Sequence, residues 1–374
     1  MSLRDYILRA LLYIFRVFPI KKNKVLFLSY YGGFYNDNPM LISQELENNP
    51  DLDVVWGFEE NIGIPAHIKG VRVSSFRFLY ELATAKVWVD NCRKRLWTVK
   101  RKKQYYIQTW HGNLGNKRVE GAAVDTLSSE YVSRAKHDAA MTDLMISGSS
   151  FFTSLIRNYF WYSGEIMECG TPRLDIFFRD HGTIVKKVRQ SFGINTDQRI
   201  ILYAPTYRES RSLDTYTVDY DKIRTSFEQL LGEKCIVLIR LHPNIADKAG
   251  QIGYNESILN ASAYSNLYEL IIAADAVISD YSSLTFEAGL LYKPVFLYTP
   301  DLLDYKQERG FYFDIEKLPY VLAENEEKLI TAIISFNREE YEHSVKLFNQ
   351  QLGIKEDGKA SQRIADRITS ILNC

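Results

Sequence analysis

The sequence has few cysteines for its 374 residues, and their spacing matches no disulfide or metal-binding motif. Cys92, Cys169, Cys235 and Cys374 are scattered, and no two form a Cys-x-x-Cys motif. This pattern excludes a disulfide framework and a cysteine-based zinc site, and it is typical of a reducing compartment. Cys169 and Cys235 lie in apolar, strand-like segments, where we expect them to be small core residues.

Net charge is also absent, because 46 Lys and Arg residues are balanced by 46 Asp and Glu residues. A dedicated nucleic-acid-binding protein usually carries a strong positive excess, so we predict no nucleic-acid partner. One segment, 92–104 (CRKRLWTVKRKKQ), is strongly basic. Three interpretations of it stay open: a solvated surface, a site for anionic lipid or an acceptor diphosphate, and a nucleic-acid contact.

No apolar run reaches the ~20 residues of a membrane-spanning helix. The N-terminal segment 1–22 (MSLRDYILRALLYIFRVFPIKK) also lacks the small-residue cleavage site of a secretory signal. On a helical projection its Leu, Ile and Phe residues fill one wide face, and several Arg and Lys residues make it basic. We predict an amphipathic helix that lies in the surface of an anionic membrane. Packing of the same face on the protein's own core is the alternative.

After this helix, short apolar runs alternate with helical stretches in two series, one from residue 24 to 170 and one from 199 to 300. Such alternation predicts parallel sheets with helices on both faces. We therefore predict two Rossmann-like domains, 23–185 and 186–374, joined by a polar region around 176–198. Ligands bind at the carboxyl ends of the strands in such sheets, so facing domains would share a central cleft.

Four predicted strands end in residues suited to chemistry: YYIQTWHGN, ILYAPTYRE, IVLIRLHPN and AVISDYSSLTFE. In the first, His111 and Gly112 follow directly on an apolar strand. A strand end with a turn explains this histidine as well as a catalytic role does. Four such strand ends in one chain favour the catalytic role.

In AVISDYSSLTFE, a strand turns into a helix at Ser282 and Ser283. The free N–H groups of a helix start and the two hydroxyls together suit a phosphate. Glu287 follows one turn later, where an acid holds ribose hydroxyls in nucleotide-dependent transferases of this architecture. Ordinary helix capping is the alternative interpretation.

The other two strand ends add cations. In RLHPN, Pro243 rigidifies the exit of the strand beside His242, and Arg240 would share the side of His242 on a regular strand. In APTYRE, Thr206 and Arg208 stand at a strand end, and arginine is a natural partner of phosphate oxygens. A purely structural histidine remains the alternative for His242.

Taken together, these segments resemble the CDP-glycerol glycerophosphotransferase family, the teichoic-acid primases and polymerases of Gram-positive bacteria. The resemblance covers roughly residues 24 to 315. It rests on these motifs in order: TWHG at 109–112, GTPRLD at 170–175, APTYR, RLHP, SDYSS at 279–283 with KP at 293–294, and RGFYFD. It implies a GT-B fold of two Rossmann-like domains and peripheral attachment to the cytoplasmic face of the cell membrane.

The resemblance also implies roles for single residues. His111 would deprotonate the acceptor hydroxyl, and His242 would contact the donor pyrophosphate and help CMP depart. Ser282 and Ser283 would hold phosphate, and Arg309 would add a cation from the RGFYFD loop. The donor-binding set that we predict is Thr206, Arg208, Arg240, Ser282, Ser283, Glu287 and Arg309.

One departure from the family lies beside the predicted base. The family usually continues Trp-His-Gly with Thr-Pro and a lysine, whereas this chain continues with Asn113 and reaches Lys117 four residues later. We predict that Gly112, Asn113 and Lys117 lie on the acceptor side. The identity of the acceptor is therefore open at this loop.

The implied reaction transfers a polyol phosphate from CDP-glycerol to a polyprenyl-diphosphate-linked or growing polymer acceptor, with release of CMP. Alternatives are a CDP-ribitol transferase, a GT-B nucleotide-sugar glycosyltransferase and a non-catalytic membrane assembly protein. We predict no cofactor and no metal site, because the Asp-Leu-Asp at 51–53 precedes an early strand and is interpreted as a turn.

Overall fold

In a computed structural model, the chain divides into two compact units. The structure describes residues 1–59, 65–208, 213, 216, 218–308 and 310–373. The first unit comprises Met1–Asn113, Val119–Ile176 and Gly353–Cys374; the second comprises Leu114–Arg118 and Phe177–Leu352.

The helices and strands alternate along the chain, as the sequence predicts. The strands are β1 (Lys21–Phe27), β2 (Asp53–Phe58), β3 (Gly70–Arg72), β4 (Ala85–Asp90), β5 (Tyr105–Gln108), β6 (Leu144–Ser147), β7 (Glu165–Glu168), β8 (Arg199–Tyr203), β9 (Cys235–Ile239), β10 (Ile258–Asn260), β11 (Ala276–Ser279), β12 (Val295–Tyr298) and β13 (Val321–Ala323). The helices are α1 (Leu3–Ile14), α2 (Asp37–Leu46), α3 (Phe76–Thr84), α4 (Ser129–Met141), α5 (Ser150–Tyr159), α6 (His181–Phe192), α7 (Tyr220–Leu231), α8 (Leu267–Ala273), α9 (Leu284–Leu290), α10 (Leu302–Glu308), α11 (Glu326–Ile334), α12 (Arg338–Leu352) and α13 (Ala360–Leu372).

The first unit is built on a parallel sheet with the strand order β3-β2-β1-β4-β5-β6-β7. Alternate residues of β1 point to opposite faces. Val25 and Phe27 pack with residues of α2 and α13, whereas Leu26 packs with residues of α3. Because both faces are covered, the buried parts of the central strands are mostly apolar, as in Val25–Phe27 of β1, and this makes them recognisable in the sequence.

The second unit has a separate parallel sheet with the order β10-β9-β8-β11-β12-β13. Its core includes Tyr203, Phe227, Val237 and Phe296. The strands β10 and β13 were not among those predicted, because each is only three residues long.

The final segment differs from the predicted domain division, in which 186–374 formed one domain. In the structure, Gly353–Cys374 belongs to the first unit. Ile364 and Ile368 of α13 are fully buried against the core that contains Val25 and Phe27. Asp175 accepts hydrogen bonds from the backbone N–H groups of Ala360 (3.0 Å) and Ser361 (2.8 Å) at the start of that helix. Burial of this apolar face and capping by a distant residue explain where the segment packs.

The predicted N-terminal helix is present as α1, and Ser2 and Asp5 form a capping box at its start. Its apolar residues divide between two environments. One set packs on the core around α3: Leu8, Leu11, Leu12 and Phe15. The other set is exposed to solvent: Leu3, Tyr6, Ile7, Tyr13, Ile14, Val17 and Phe18. The helix thus has a packed apolar side and an exposed apolar side.

The basic segment 92–104 is largely tied into the first unit. The Arg93 guanidinium is buried between Glu120 and Asp138, at 2.8 and 3.2 Å. Lys94 pairs with Asp90 at 2.6 Å, and Lys100 pairs with Asp143. Further basic side chains, Arg95, Lys102 and Lys103, are exposed. Ion pairs inside the unit thus account for much of this positive charge.

Candidate active-site residues

The predicted base stands just beyond β5, and its hydrogen bond defines which ring nitrogen is free. The Nδ1 atom of His111 lies 2.7 Å from the carbonyl oxygen of Asn91. A carbonyl oxygen only accepts hydrogen bonds, so Nδ1 of the neutral ring carries the proton and donates it. The Nε2 atom is therefore left with a lone pair that can accept a proton.

Asn91, which directly follows β4, is itself held by neighbouring groups. Its Oδ1 accepts a hydrogen bond from the backbone N–H of Tyr30 at 2.8 Å, and its Nδ2 donates to Ser29 Oγ at 3.2 Å. The Tyr30 hydroxyl donates to Asp37 at 2.6 Å. This network fixes the carbonyl group that orients the imidazole of His111.

The main chain on either side of the imidazole is anchored by the GTPRLD turn. Arg173 Nη1 donates to the carbonyl oxygen of His111 at 2.6 Å. Asn38 Nδ2 donates to the carbonyl oxygen of Trp110 at 3.0 Å, and its Oδ1 accepts from the backbone N–H of Arg173 at 3.0 Å. The turn therefore acts on the histidine through its backbone.

Strained backbone conformations gather around this histidine. Tyr30, Tyr31, Asp37 and Trp110 all have positive φ angles, of 45°, 62°, 60° and 55°. The Trp110 ring stacks on the imidazole of His111 with centroids 4.4 Å apart. Non-glycine residues in this region are uncommon, and they concentrate where a fold holds a functional group in place.

The pKa of His111 is lowered from its ordinary value, and burial of the ring is the main cause. The hydrogen bond to Asn91 and the negative charge of Asp37 act in the opposite direction. At neutral pH the ring is consequently in the neutral form that a general base requires.

The two residues after His111 differ in their environments. Gly112 is partly exposed, whereas Asn113 is only 5% exposed. The Asn113 amide accepts from the backbone N–H of Gly148 at 3.1 Å and donates to Glu356 at 3.0 Å. The Asn113 side chain thus forms hydrogen bonds within the first unit.

In the second unit, Arg240 is a cation that pairs with no carboxylate of the described residues. It directly follows β9, and its Nε atom is buried with no hydrogen-bond partner. Across the described residues, no carboxylate forms an ion pair with it, and burial lowers its pKa. A desolvated charge without a partner is costly, so such a group indicates an anionic ligand.

His242 lies close in sequence to this arginine and has the opposite hydrogen-bonding pattern to His111. Its Nδ1 accepts a hydrogen bond from the backbone N–H of Asn244 at 3.2 Å. In the neutral ring the proton is therefore on Nε2, which can donate. Partial burial and the positive charges of Arg240 and Lys117 lower the pKa of His242.

Arg208, by contrast, is neutralised within the protein. It pairs with Asp301 at 2.6 Å and Asp280 at 2.9 Å, and its Nη1 donates to the carbonyl oxygen of Thr206. The backbone N–H of Thr206 donates to Asp280 at 2.9 Å, while its Oγ1 is buried without a partner. Arg208 thus joins the ends of β11 and β12 through Asp280 and Asp301. The Thr206 hydroxyl remains available to bind a ligand.

The predicted phosphate-binding serines stand at the start of α9. Ser283 is the residue before the helix, and its side chain makes no capping hydrogen bond. Ser282 Oγ accepts a long hydrogen bond, 3.4 Å, from Leu284. Both serines are partly exposed, whereas Glu287 is 2% exposed inside the helix. Arg309 lies outside the described residues.

Lys117 lies in a short segment, 114–118, that belongs to the second unit. This segment pairs in antiparallel fashion with the chain after Arg309: Lys117 bridges Phe311, and Arg118 donates its backbone N–H to Gly310 at 2.9 Å. Gly115 has a φ angle of +157°, and a side chain there would contact Ser283. The segment therefore lies beside the start of α9.

The first unit also contains a cavity of about 1080 Å³. Apolar side chains of α1 and α3, among them Leu8, Leu11 and Leu79, line it together with Arg4 and Arg95. Tyr31 and Asp90, which neighbour the groups that hold His111, also line it. The cavity thus extends from the N-terminal helix toward the strand ends.

Among the residues that the structure covers, no cluster of three or more His, Cys, Asp or Glu side chains is arranged to hold a metal ion. Asp53 of the Asp-Leu-Asp sequence pairs with Lys24 and Lys69. Likewise, no helix of the described chain combines the length and the apolar character needed to cross a bilayer.

A family model for CDP-glycerol:poly(glycerophosphate) glycerophosphotransferases matches residues 10–370. The chain belongs to this family. The recognition made from the sequence motifs is therefore confirmed, and with it the class of enzyme.

Curated members of the glycerophosphotransferase family match over the whole chain. The teichoic acid poly(glycerol phosphate) polymerase of Bacillus spizizenii is 29% identical over 387 residues, which cover 98% of this chain and 98% of the relative. The teichoic acid ribitol-phosphate primase of the same organism is 28% identical, covering 95% and 92%. Against the poly(glycerol phosphate) polymerase of Bacillus subtilis, the chain spans about half (49%) of the relative's length.

Among solved structures, the wall teichoic acid polymerase TagF is similar with a TM-score of 0.85 and 25% identity, covering 98% of this chain and 94% of that one. Another structure of the same polymerase is a variant soaked with CDPG. The predicted fold class, two Rossmann-like α/β domains of the GT-B type, is confirmed by these likenesses and by the two parallel sheets.

Sequence reasoning missed the residues that support the family's Trp-His-Gly histidine. Asn91 also follows a predicted strand, so its position was a usable signal that was not taken up. Asp37 and Asn38 carried no such signal, because they lie at the start of α2 and meet Tyr30, Arg173 and Trp110 only in the folded chain.

Proposed function

We propose that the protein transfers glycerol phosphate from CDP-glycerol to a hydroxyl group of a lipid-linked or growing teichoic-acid acceptor and releases CMP. The observation that carries the proposal is the contrast between the two histidines. The environment of His111 leaves a proton acceptor at Nε2, whereas that of His242 leaves a proton donor. In such a transfer one group can take the proton of the attacking hydroxyl, and the other can hydrogen-bond the phosphate of the departing CMP.

In the proposed step, Nε2 of His111 removes the proton from the acceptor hydroxyl while that oxygen attacks the phosphorus atom bearing the glycerol. Such general-base catalysis typically contributes ~10²–10⁴-fold. The bond between that phosphorus and the CMP oxygen breaks, and CMP leaves with the electron pair. Rigid support of His111 by Asn91 and Arg173 favours this role, because the ring needs no reorganisation.

The diphosphate of the donor would meet the cations of the second unit. Arg240 is desolvated and has no carboxylate partner in the part of the chain that the structure describes, and Nε2 of His242 presents an N–H group. The hydroxyls of Thr206 and Ser283 supply further donors that no residue of the described chain occupies. Positive groups aimed at the developing charge are the main means by which proteins accelerate phosphoryl transfer.

CDP-ribitol is the second candidate donor, because a ribitol-phosphate primase matches 95% of the chain, against 98% for the glycerol-phosphate polymerase. The two donors carry the same CDP group and differ only in the polyol. The groups proposed for the diphosphate would therefore serve either donor.

We further propose that the acceptor is lipid-linked and that α1 attaches the protein to the cytoplasmic face of the membrane. The exposed side of this helix presents Leu3, Ile7 and Ile14, and the turn that follows it presents Val17. An apolar helix side beside basic residues suits the surface of an anionic bilayer. The adjacent cavity, which apolar and charged side chains line together and which reaches Tyr31 and Asp90, would accommodate the lipid-proximal part of the acceptor.

A donor screen tests the proposal. The protein is incubated with CDP-glycerol, CDP-ribitol and nucleotide sugars together with a lipid-linked acceptor, and CMP release is measured. CMP release from a CDP-polyol, lost in His111→Ala and retained in His343→Ala, is expected; His343 is an exposed histidine on α12. Consumption of a nucleotide sugar alone would overturn the proposal in favour of a glycosyltransferase. Inactivity with every donor would favour an assembly protein.

A further inference from the structure

Glu356, in the segment that connects α12 to α13, brings together three separate loops of the first unit. Its carboxylate accepts hydrogen bonds from Asn113 Nδ2 at 3.0 Å, from the backbone N–H of Thr171 at 2.8 Å and from the Thr171 hydroxyl at 2.7 Å. Asn113 in turn accepts from the backbone N–H of Gly148. One carboxylate therefore joins chain positions that are 243 and 185 residues away from it.

The backbone around Glu356 reinforces this contact. Lys355 donates its N–H to the carbonyl oxygen of Gly148 at 2.8 Å, and Ser150 donates its N–H to Gly353 at 3.0 Å. A side chain at position 148 would collide with the Glu356 carboxylate, the Asn113 amide and the Thr171 hydroxyl. Glycine is thus required there for the close approach of the three polar groups.

Two short paths lead from this carboxylate to His111. Asn113 is two residues beyond the histidine on the same loop. Thr171 is two residues before Arg173, which donates to the carbonyl oxygen of His111 at 2.6 Å. Glu356 therefore restrains both the loop that carries the imidazole and the turn that anchors its backbone.

We propose that Glu356 is a positioning residue for the general base, which it holds through Asn113 and through the turn that contains Arg173. The proposal rests on the assignment of His111 as the base. It gives Asn113 a structural task in place of the predicted contact with the acceptor. It also makes the carboxylate and the amide a matched pair, one accepting and the other donating.

The amide at position 113 and the carboxylate at position 356 can be exchanged between the two positions. This exchange distinguishes a specific hydrogen bond from an effect of general packing. Asn113→Asp removes the amide donor and leaves two carboxyl groups facing each other, which repel when both are ionised. Adding Glu356→Gln restores one donor and one acceptor with the positions reversed, and Asp at 113 still accepts from Gly148. Coupling between the two substitutions measures the direct interaction.

The first readout is hydrogen–deuterium exchange, which requires no activity. In Glu356→Ala and in Asn113→Asp, peptides covering 109–115 and 146–150 should exchange at least several-fold faster, while those covering 276–285 should be unchanged. The double variant Asn113→Asp/Glu356→Gln should recover protection. Asp357→Asn, which changes the neighbouring exposed carboxylate, is the control and should exchange as the wild type does.

The second readout is kinetic. Because misplacement of a base by about 1 Å costs on the order of 100-fold, kcat should fall by roughly 10- to 100-fold in the single variants. The KM for CDP-glycerol should change by less than about threefold, since donor groups lie on other residues. The double variant should recover most of kcat.

Unchanged exchange in both single variants, or a double variant no better than its singles, would overturn the proposal. So would a loss that falls mainly on the KM for the donor. If Glu356→Ala does not fold, as judged by circular dichroism, the isosteric single and double variants decide the matter. A wild type inactive on every CDP-polyol would refute the proposed function, while the exchange data would still report on the anchoring.

Discussion

The imidazole of His111 donates its Nδ1 proton to the carbonyl oxygen of Asn91 across 2.7 Å. The bond fixes the tautomer and the direction of the ring before any substrate arrives. Asn91 belongs to the neighbouring strand end, so the sheet itself orients the base. Two adjacent parallel strands, β4 and β5, thereby define one proton-accepting atom.

The pH dependence of turnover should reflect the lowered pKa of this ring. Burial depresses the pKa of His111 below the ordinary value of 6.5. A base is active when deprotonated, so the acidic limb of the kcat/KM profile should lie below pH 6.5. The measurement is CMP release from CDP-glycerol between pH 5 and 8 with the wild type. An acidic limb above pH 6.5 would contradict the assignment of His111 as the base.

Replacement of Arg240 should raise the stability of the ligand-free protein and lower its affinity for the donor. Arg240→Met removes a desolvated charge that has no counter-ion among the described residues, so the ligand-free protein should gain about 1 kcal/mol. Affinity for CDP-glycerol should fall on the order of 10-fold or more, because an ionic hydrogen bond is lost. Thermal unfolding with and without CDP-glycerol measures both effects.

The matched control for this experiment is Arg199→Met, because Arg199 pairs with Glu233 and Asp275 away from the proposed donor groups. It should lose a little stability and keep its donor affinity. Equal donor affinity in Arg240→Met and wild type would remove Arg240 from the donor site.

Glu356 should make stability depend on pH in a defined direction. Burial and the charge of Asp175 raise the pKa of Glu356 to about 7, against the lowering effects of Thr171 and Arg173. Because this value exceeds that of the unfolded chain, the folded protein favours the protonated form. The resulting stabilisation is complete below about pH 4.5 and is lost as the pH rises through 7.

The measurement compares the thermal midpoints of wild type and Glu356→Gln from pH 5 to 8. Over this range the wild type should lose stability relative to the variant, by at most ~1.4 kcal/mol per pH unit. A wild type that instead gains stability relative to Glu356→Gln as the pH rises would show that the carboxylate is ionised without cost.

The exposed side of α1 should govern binding to lipid vesicles. Ile7→Glu with Val17→Glu introduces two charges at exposed positions, 52% and 79% accessible, so folding should be little affected. Cosedimentation with anionic vesicles should be strongly reduced. Leu347→Glu, at an exposed apolar position of α12, is the control and should bind as the wild type does. Equal sedimentation of all three proteins would refute membrane attachment through α1.

Much of the fold was predictable because the buried parts of parallel strands form short runs of mostly apolar residues. The strand β1 is recognisable from its apolar run Val25, Leu26 and Phe27. The histidines His111 and His242 were predicted as candidates because they follow such strands. The short edge strand β13 gave too little signal. Strand ends thus revealed the candidate histidines without any knowledge of their partners.

The environment of a side chain was harder to predict, because it depends on distant residues. The sequence around Arg208 predicts a phosphate ligand. In the structure Asp280 and Asp301, 72 and 93 residues away, neutralise its charge. The sequence predicts that Asn113 lies on the acceptor side. In the structure its side chain is buried and bonds to Glu356. Nothing local in the sequence reports such long-range pairings.

The return of Gly353–Cys374 to the first unit has a consequence for biosynthesis. The ribosome completes the second unit before it has made α13, which covers the face of the first sheet around Val25 and Phe27. Until then only α2, of the two helices that pack on Val25 and Phe27, can cover that face. Glu356 follows the second unit in the chain, so the loop of His111 gains this anchor only after that unit has been made.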